Sequence, residues 1–121
     1  MIEFSPLNKL WLLDVDGTIV KHNGHLKGGD ELLEGVKEFF STIAKDDKVI
    51  LLTAREVVYK DELENFLNKN GIRFDQIIYD LPKGERILVN DDKDSGLKTA
   101  FAISKKRDEK LNIEYKINQD L

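Results

Sequence analysis

The sequence contains no cysteine. That excludes a disulfide framework and any thiolate-ligated metal site. No apolar run approaches the ~20 residues needed to cross a bilayer, so no membrane association is expected. The stretch 1–9 has no basic segment followed by a long apolar core, so no secretory leader is read there and a cytoplasmic location is expected. Positive charge is not in excess. Nineteen Lys and Arg stand against 23 Asp and Glu, a net charge of −4, and the basic residues form no concentrated stretch. A sequence-independent nucleic-acid groove is therefore not expected. Internal repeats and low-complexity segments are absent as well.

What remains is a chain of 121 residues in which 35% are charged but interspersed with apolar clusters. That pattern belongs to a globular protein rather than a disordered one. The length suits a single domain, 1–121, with one core and a charged, weakly patterned tail over 105–121. Leu10-Trp11-Leu12-Leu13 reads as a buried strand over 9–14. Asp30 is suited to cap a helix whose apolar positions, from Leu32 to Ile43, recur at helical spacing before Asp46-Asp47. Lys48–Thr53 reads as a second buried parallel strand. A second helix runs through Val57, Leu63 and Leu67 to a stop at Asn70-Gly71. Further strands are expected over 74–80, 86–90 and 98–104, with a turn at Leu81-Pro82-Lys83-Gly84. Strands alternating with helices predict a three-layer α/β sandwich with a mainly parallel, Rossmann-like sheet.

Asp14-Val15-Asp16-Gly17-Thr18 is the most informative stretch. Asp14 and Asp16 stand at the carboxyl end of the first apolar strand, where open α/β sheets keep their ligands. In a continuous strand they would share one face. Two like charges side by side are costly unless a cation joins them. The pair therefore calls for a hard divalent metal, or for one carboxylate to act as a nucleophile. Thr53 and Asp91 also end predicted parallel strands and should reach the same edge. His22 and His25, in a glycine-rich loop, read as loop histidines rather than zinc ligands. Asp92-Lys93-Asp94-Ser95-Gly96 begins like a calcium loop but lacks the closing acid, Ala102 standing in its place.

Four motifs in order resemble the haloacid-dehalogenase-like phosphatase superfamily, over about residues 10–92. The first is Leu12-Leu13-Asp14-Val15-Asp16-Gly17-Thr18. The second is the apolar strand ending at Thr53. The third is Lys83, and the fourth is Ile87-Leu88-Val89-Asn90-Asp91-Asp92. The short Lys83-to-Asp91 spacing and Thr53-Ala54-Arg55 are similar to small members found among polysaccharide-biosynthesis proteins. The resemblance implies a Mg²⁺-dependent phosphomonoesterase. Asp14 would form an aspartyl-phosphate, and Asp16 would be general acid and base. Asp14, the carbonyl of Asp16 and Asp91, with Asp92 beside them, would serve the Mg²⁺ ion, which prefers oxygen ligands and keeps several waters. Thr53 would hold a phosphoryl oxygen and Lys83 would neutralise charge, with Lys93 and Lys98 in reserve. Gly17 and Thr18 would line the phosphoryl site, and Arg55 would pair with an anionic part of the substrate.

The segments 18–30 and 54–74 leave no room for a cap domain. The implied site is open, suited to a phosphorylated sugar or a polymer-linked ester, or closed by a second copy of the chain. The loop over 18–29, with His22 and His25, is the expected lid. Two rivals remain at this point. One is a phosphotransferase or mutase using the same aspartyl-phosphate. The other is a receiver-like signalling domain, disfavoured because a receiver carries its acceptor Asp where this chain has Thr53.

Overall fold

The computed structural model describes residues 1–121. Five short strands form two parallel sheets. The strands are β1 (Ile2–Phe4), β2 (Leu10–Asp14), β3 (Lys48–Leu52), β4 (Gln76–Ile78) and β5 (Tyr115–Ile117). Two α-helices accompany them, α1 (Val36–Thr42) and α2 (Lys60–Lys69). The class is α/β, as the alternation of elements predicts.

The main sheet has the order β2-β3-β4, with Trp11 beside Val49 and Leu13 beside Leu51. Side chains alternate along a strand, so these four residues share one face. All four are buried. Val36, Phe39, Phe40 and Ile43 of α1 and the residue after it, with Leu63 and Leu67 of α2, belong to the same apolar cluster. Their spacing of three and four is the helical period that puts a stripe against a sheet. The opposite face of β2 carries Leu10 and Leu12, both exposed. The third layer expected for a sandwich is not seen on that face.

Helix α1 starts later than the sequence suggests. Asp30 does not cap it. Gly35 does, at a φ of 85°. A side chain at Gly35 would meet the Leu111 carbonyl oxygen in a severe clash, so glycine is required by both backbone and space. Residues 31–33 instead run extended beside 19–21, through Lys21 N–H to the Glu31 carbonyl and Leu33 N–H to the Ile19 carbonyl (both 3.0 Å). Asp47 is buried where the sequence suggests only a helix break. It accepts from Lys9 N–H (2.9 Å) and the Trp11 indole (3.0 Å), tying the start of β2 to the turn before β3.

The largest departure lies over 79–114, where no regular strand or helix forms. The strands expected over 86–90 and 98–104 are not present. Ile87 and Val89 are 86% and 91% exposed, so an apolar sequence alone did not secure a place in the core. A run of three apolar residues gains burial only if a sheet edge pairs with it, and flanking charges on both sides oppose that docking. The tail, in contrast, is structured. Its β5 pairs in parallel with β1, and Leu111 is buried in the main cluster.

Candidate functional site

Parallel strands bring their carboxyl ends to one edge. Asp14 closes β2 and Thr53 follows β3, and the sheet ladder continues past both. Val15 N–H donates to the Leu52 carbonyl and Thr53 N–H to the Ile78 carbonyl, each at 3.0 Å. Beyond Asp14 the chain turns sharply. Gly17 takes a φ of 85° and donates to the Val20 carbonyl at 2.7 Å. Gly17 is glycine because only glycine adopts that conformation without strain, and a Cβ there would also press within 3.2 Å of the Arg107 side chain.

Because the strand stops at Asp14, the two acids do not share partners. Asp14 Oδ2 accepts from the Thr18 hydroxyl at 3.2 Å, and Oδ1 accepts from Arg86 Nη1 at 3.0 Å. The side chains of Arg86 and Asp14 are 40% and 38% exposed. An ion pair this open is worth only about 0–1 kcal/mol. Asp14 is thus reachable from solvent and loosely held.

Asp16 is held firmly. Its Oδ2 accepts from the buried Thr53 hydroxyl at 2.8 Å, and its Oδ1 accepts from Arg55 Nε at 2.9 Å. The Thr53 oxygen in turn accepts from Arg55 N–H at 3.0 Å. Arg55 also grips Asp30, with Nη1 to Oδ2 at 3.0 Å and Nη2 to Oδ1 at 2.6 Å. The Arg55 and Asp30 side chains are only 2% and 1% exposed. Burial works against the guanidinium charge, but hydrogen bonds and charge from Asp30 and Asp16 outweigh it and move its pKa up. Arg55 therefore stays cationic. It is not free to bind a substrate anion, which corrects the role expected for it.

Asp30 was not expected at the site. Gly28 and Gly29, at φ of 101° and 124°, turn the chain back so that Asp30 enters the extended run beside 19–21 and faces Arg55. A carboxylate after two glycines reads equally well as a helix cap, so no residue pattern marks this pairing. Arg86 and Lys105 were missed for a similar reason. Lys105 Nζ donates to the Gly17 carbonyl at 2.9 Å, and Asp108 N–H donates to the same oxygen at 3.0 Å. The charged tail thus closes over the turn after Asp16.

The remaining expected residues are not gathered here. Lys83 is exposed and makes no hydrogen bond or ion pair, while Lys98 lies over the Phe101 ring. Asp91 and Asp92 are exposed in the irregular segment, where the Asp91 carbonyl accepts from Thr99. His22 offers its backbone N–H to Asp108 at 2.7 Å. His25 sits edge-on to Tyr59, with Nδ1 enclosed and without a hydrogen-bond partner. Enclosed in this way, Nδ1 is not presented to a substrate. No three acidic or histidine side chains come together as a metal-binding set. Asp91 and Asp92 do not join Asp14 and Asp16 in such a set, and Asp14 faces Arg86, so the side chains expected to serve Mg²⁺ are not assembled in this arrangement. Two shallow concavities of about 330 and 280 Å³ flank Gly35, and neither is lined by Asp14 or Asp16.

Comparison with protein families, with curated proteins and with solved structures returns no match to this chain.

Proposed function

We propose that this chain is a phosphomonoesterase of the haloacid-dehalogenase-like kind, working through an aspartyl-phosphate on Asp14. One observation carries the reading. Of two neighbouring acids at the carboxyl edge of a parallel sheet, Asp14 is accessible and loosely paired, while Asp16 is fixed by Thr53 and Arg55. A nucleophile must reach phosphorus, and an acid–base group must be held in place beside it.

In this reading an Asp14 oxygen attacks phosphorus and the bond to the ester oxygen breaks. The departing oxygen takes a proton from Asp16, releasing the alcohol. Water then attacks the aspartyl-phosphate and gives its proton to Asp16. The bond from phosphorus to the Asp14 oxygen breaks, and inorganic phosphate leaves. Besides Arg55, which is engaged by Asp16 and Asp30, Arg86 beside Asp14 and Lys105 beside Gly17 supply positive charge at this edge, a role expected of Lys83. The substrate class, a phosphorylated sugar or envelope-polysaccharide intermediate, rests on the motif resemblance alone.

The exposure of Asp14 favours hydrolysis over phosphoryl transfer, since transfer requires water to be kept out. A receiver-like role is disfavoured because the middle strand, β3, ends at a buried Thr53 rather than an acceptor Asp.

A phosphate-release screen tests the proposal, with p-nitrophenyl phosphate and a panel of phosphorylated sugars, amino alcohols and nucleotides. Turnover by the wild type and its loss in Asp14→Asn is the expected result. Retention of more than about a tenth of kcat, a loss below ~1.4 kcal/mol, would remove Asp14 as nucleophile. Parallel assays with Mg²⁺ and with EDTA read the metal requirement separately.

A further inference from the structure

Asp30 contacts no expected substrate position, yet it is among the most enclosed carboxylates of the molecule. Its hydrogen-bond partner is Arg55, and the pairing is bidentate. Asp16 receives only one side of the same guanidinium. Nε and Nη2 both fall on its Oδ1, at 2.9 and 2.8 Å, while Oδ2 is left to the Thr53 hydroxyl. The cluster holds two carboxylates and one cation, so its formal charge with both acids ionised is −1. Asp30 takes the symmetric fork and is the more buried of the two acids. Asp16, at 16% exposure, is the one open toward the edge where Asp14 stands.

We propose that Asp30 is a positioning residue for the acid step. By holding Arg55 in a bidentate grip, it keeps the guanidinium from closing on both oxygens of Asp16. One oxygen of Asp16, Oδ2, is thereby left outside the guanidinium's grip for the acid step. The inference rests on the aspartyl-phosphate reading above and deepens it. Asp30 contributes no atom to the reaction: the proton moves from Asp16 to the ester oxygen as the phosphorus–oxygen bond breaks.

The choice of leaving group separates this role from mere support of the fold. A p-nitrophenolate leaves without a proton, whereas a sugar or glycerol alkoxide needs one. In Asp30→Asn, Arg55 loses its charged competitor and turns to Asp16. The alkyl ester should then lose about tenfold or more in kcat/KM, and the aryl ester less than about threefold. Asp30→Glu keeps the charge but pushes Arg55 toward Asp16 by one methylene, so it should move the ratio the same way by about threefold. If Asp30→Asn does not yield folded protein by circular dichroism, the Asp30→Glu ratio decides. Equal losses on the two esters, or no change in either, would overturn the proposal while leaving the proposed function standing. A wild type inactive on both esters, or Asp14→Asn as active as wild type, would overturn both.

Discussion

Asp14 and Asp16 are two residues apart, but their surroundings differ by several kcal/mol. Removing one partner from a buried charge cluster such as Asp16–Arg55–Asp30 typically costs ~3–5 kcal/mol, because the remaining charge is left uncompensated. The half-exposed Arg86–Asp14 pair is worth ~1 kcal/mol or less. Arg86 can therefore move aside or swing onto a phosphate without cost to the fold. Arg86→Ala should leave the melting temperature nearly unchanged, a difference within ~0.5 kcal/mol. It should lower kcat/KM for p-nitrophenyl phosphate about tenfold, mainly through KM, since a cation facing the phosphoryl group is lost. A rise in activity would show instead that the guanidinium blocks Asp14. At this scale the sequence was legible where chemistry is local. Asp14, Asp16 and Thr53 follow apolar strands, and the ends of parallel strands meet. Asp30 and Arg86 were not legible, because their partners lie 25 and 72 residues away and no periodicity reports such pairs.

Strands β2 and β3 and the two helices were readable because their apolar positions repeat at the period of the element that forms. Their ends were less so. Gly35 moves the start of α1 by five residues from Asp30, a shift set by the approach of Leu111 rather than by local propensity. The run over 86–90 is the instructive failure. Its composition suits a strand, but a strand is stabilised by a partner edge, and here Ile87, Leu88 and Val89 face solvent. Two opposite expectations follow for one experiment. The exposed arrangement predicts that Ile87→Lys with Val89→Lys changes unfolding free energy by less than ~1 kcal/mol. A buried strand would lose several times that, as large core deletions cost ~2–5 kcal/mol. Urea unfolding of the double variant distinguishes the two, and a large loss would mean that this segment is packed in solution.

Across the whole molecule, the chain is held closed from both ends. Strand β1 pairs with β5, Leu111 enters the core, and Lys105 and Asp108 reach the turn after Asp16. The tail, which shows little apolar pattern, is thus joined to the turn beside the candidate site. Its contacts are with residues near the other end of the sequence, which is why pattern reading could not find them. No helix is long and apolar enough to cross a membrane. We propose that Asp14 in this assembly carries the phosphoryl group. The most direct test is to trap the carrier. Asp16→Asn, mixed with an excess of p-nitrophenyl phosphate and quenched in acid, is analysed by intact and peptide mass spectrometry, in buffer with and without Mg²⁺. An aryl ester needs no proton to leave, so the phosphoryl group should still load, while its hydrolysis slows without the base. One added phosphoryl group is expected, removed by hydroxylamine as an acyl phosphate is, and located on Asp14. A quenched protein with no added phosphoryl under either condition, or with the group on another residue, would contradict it.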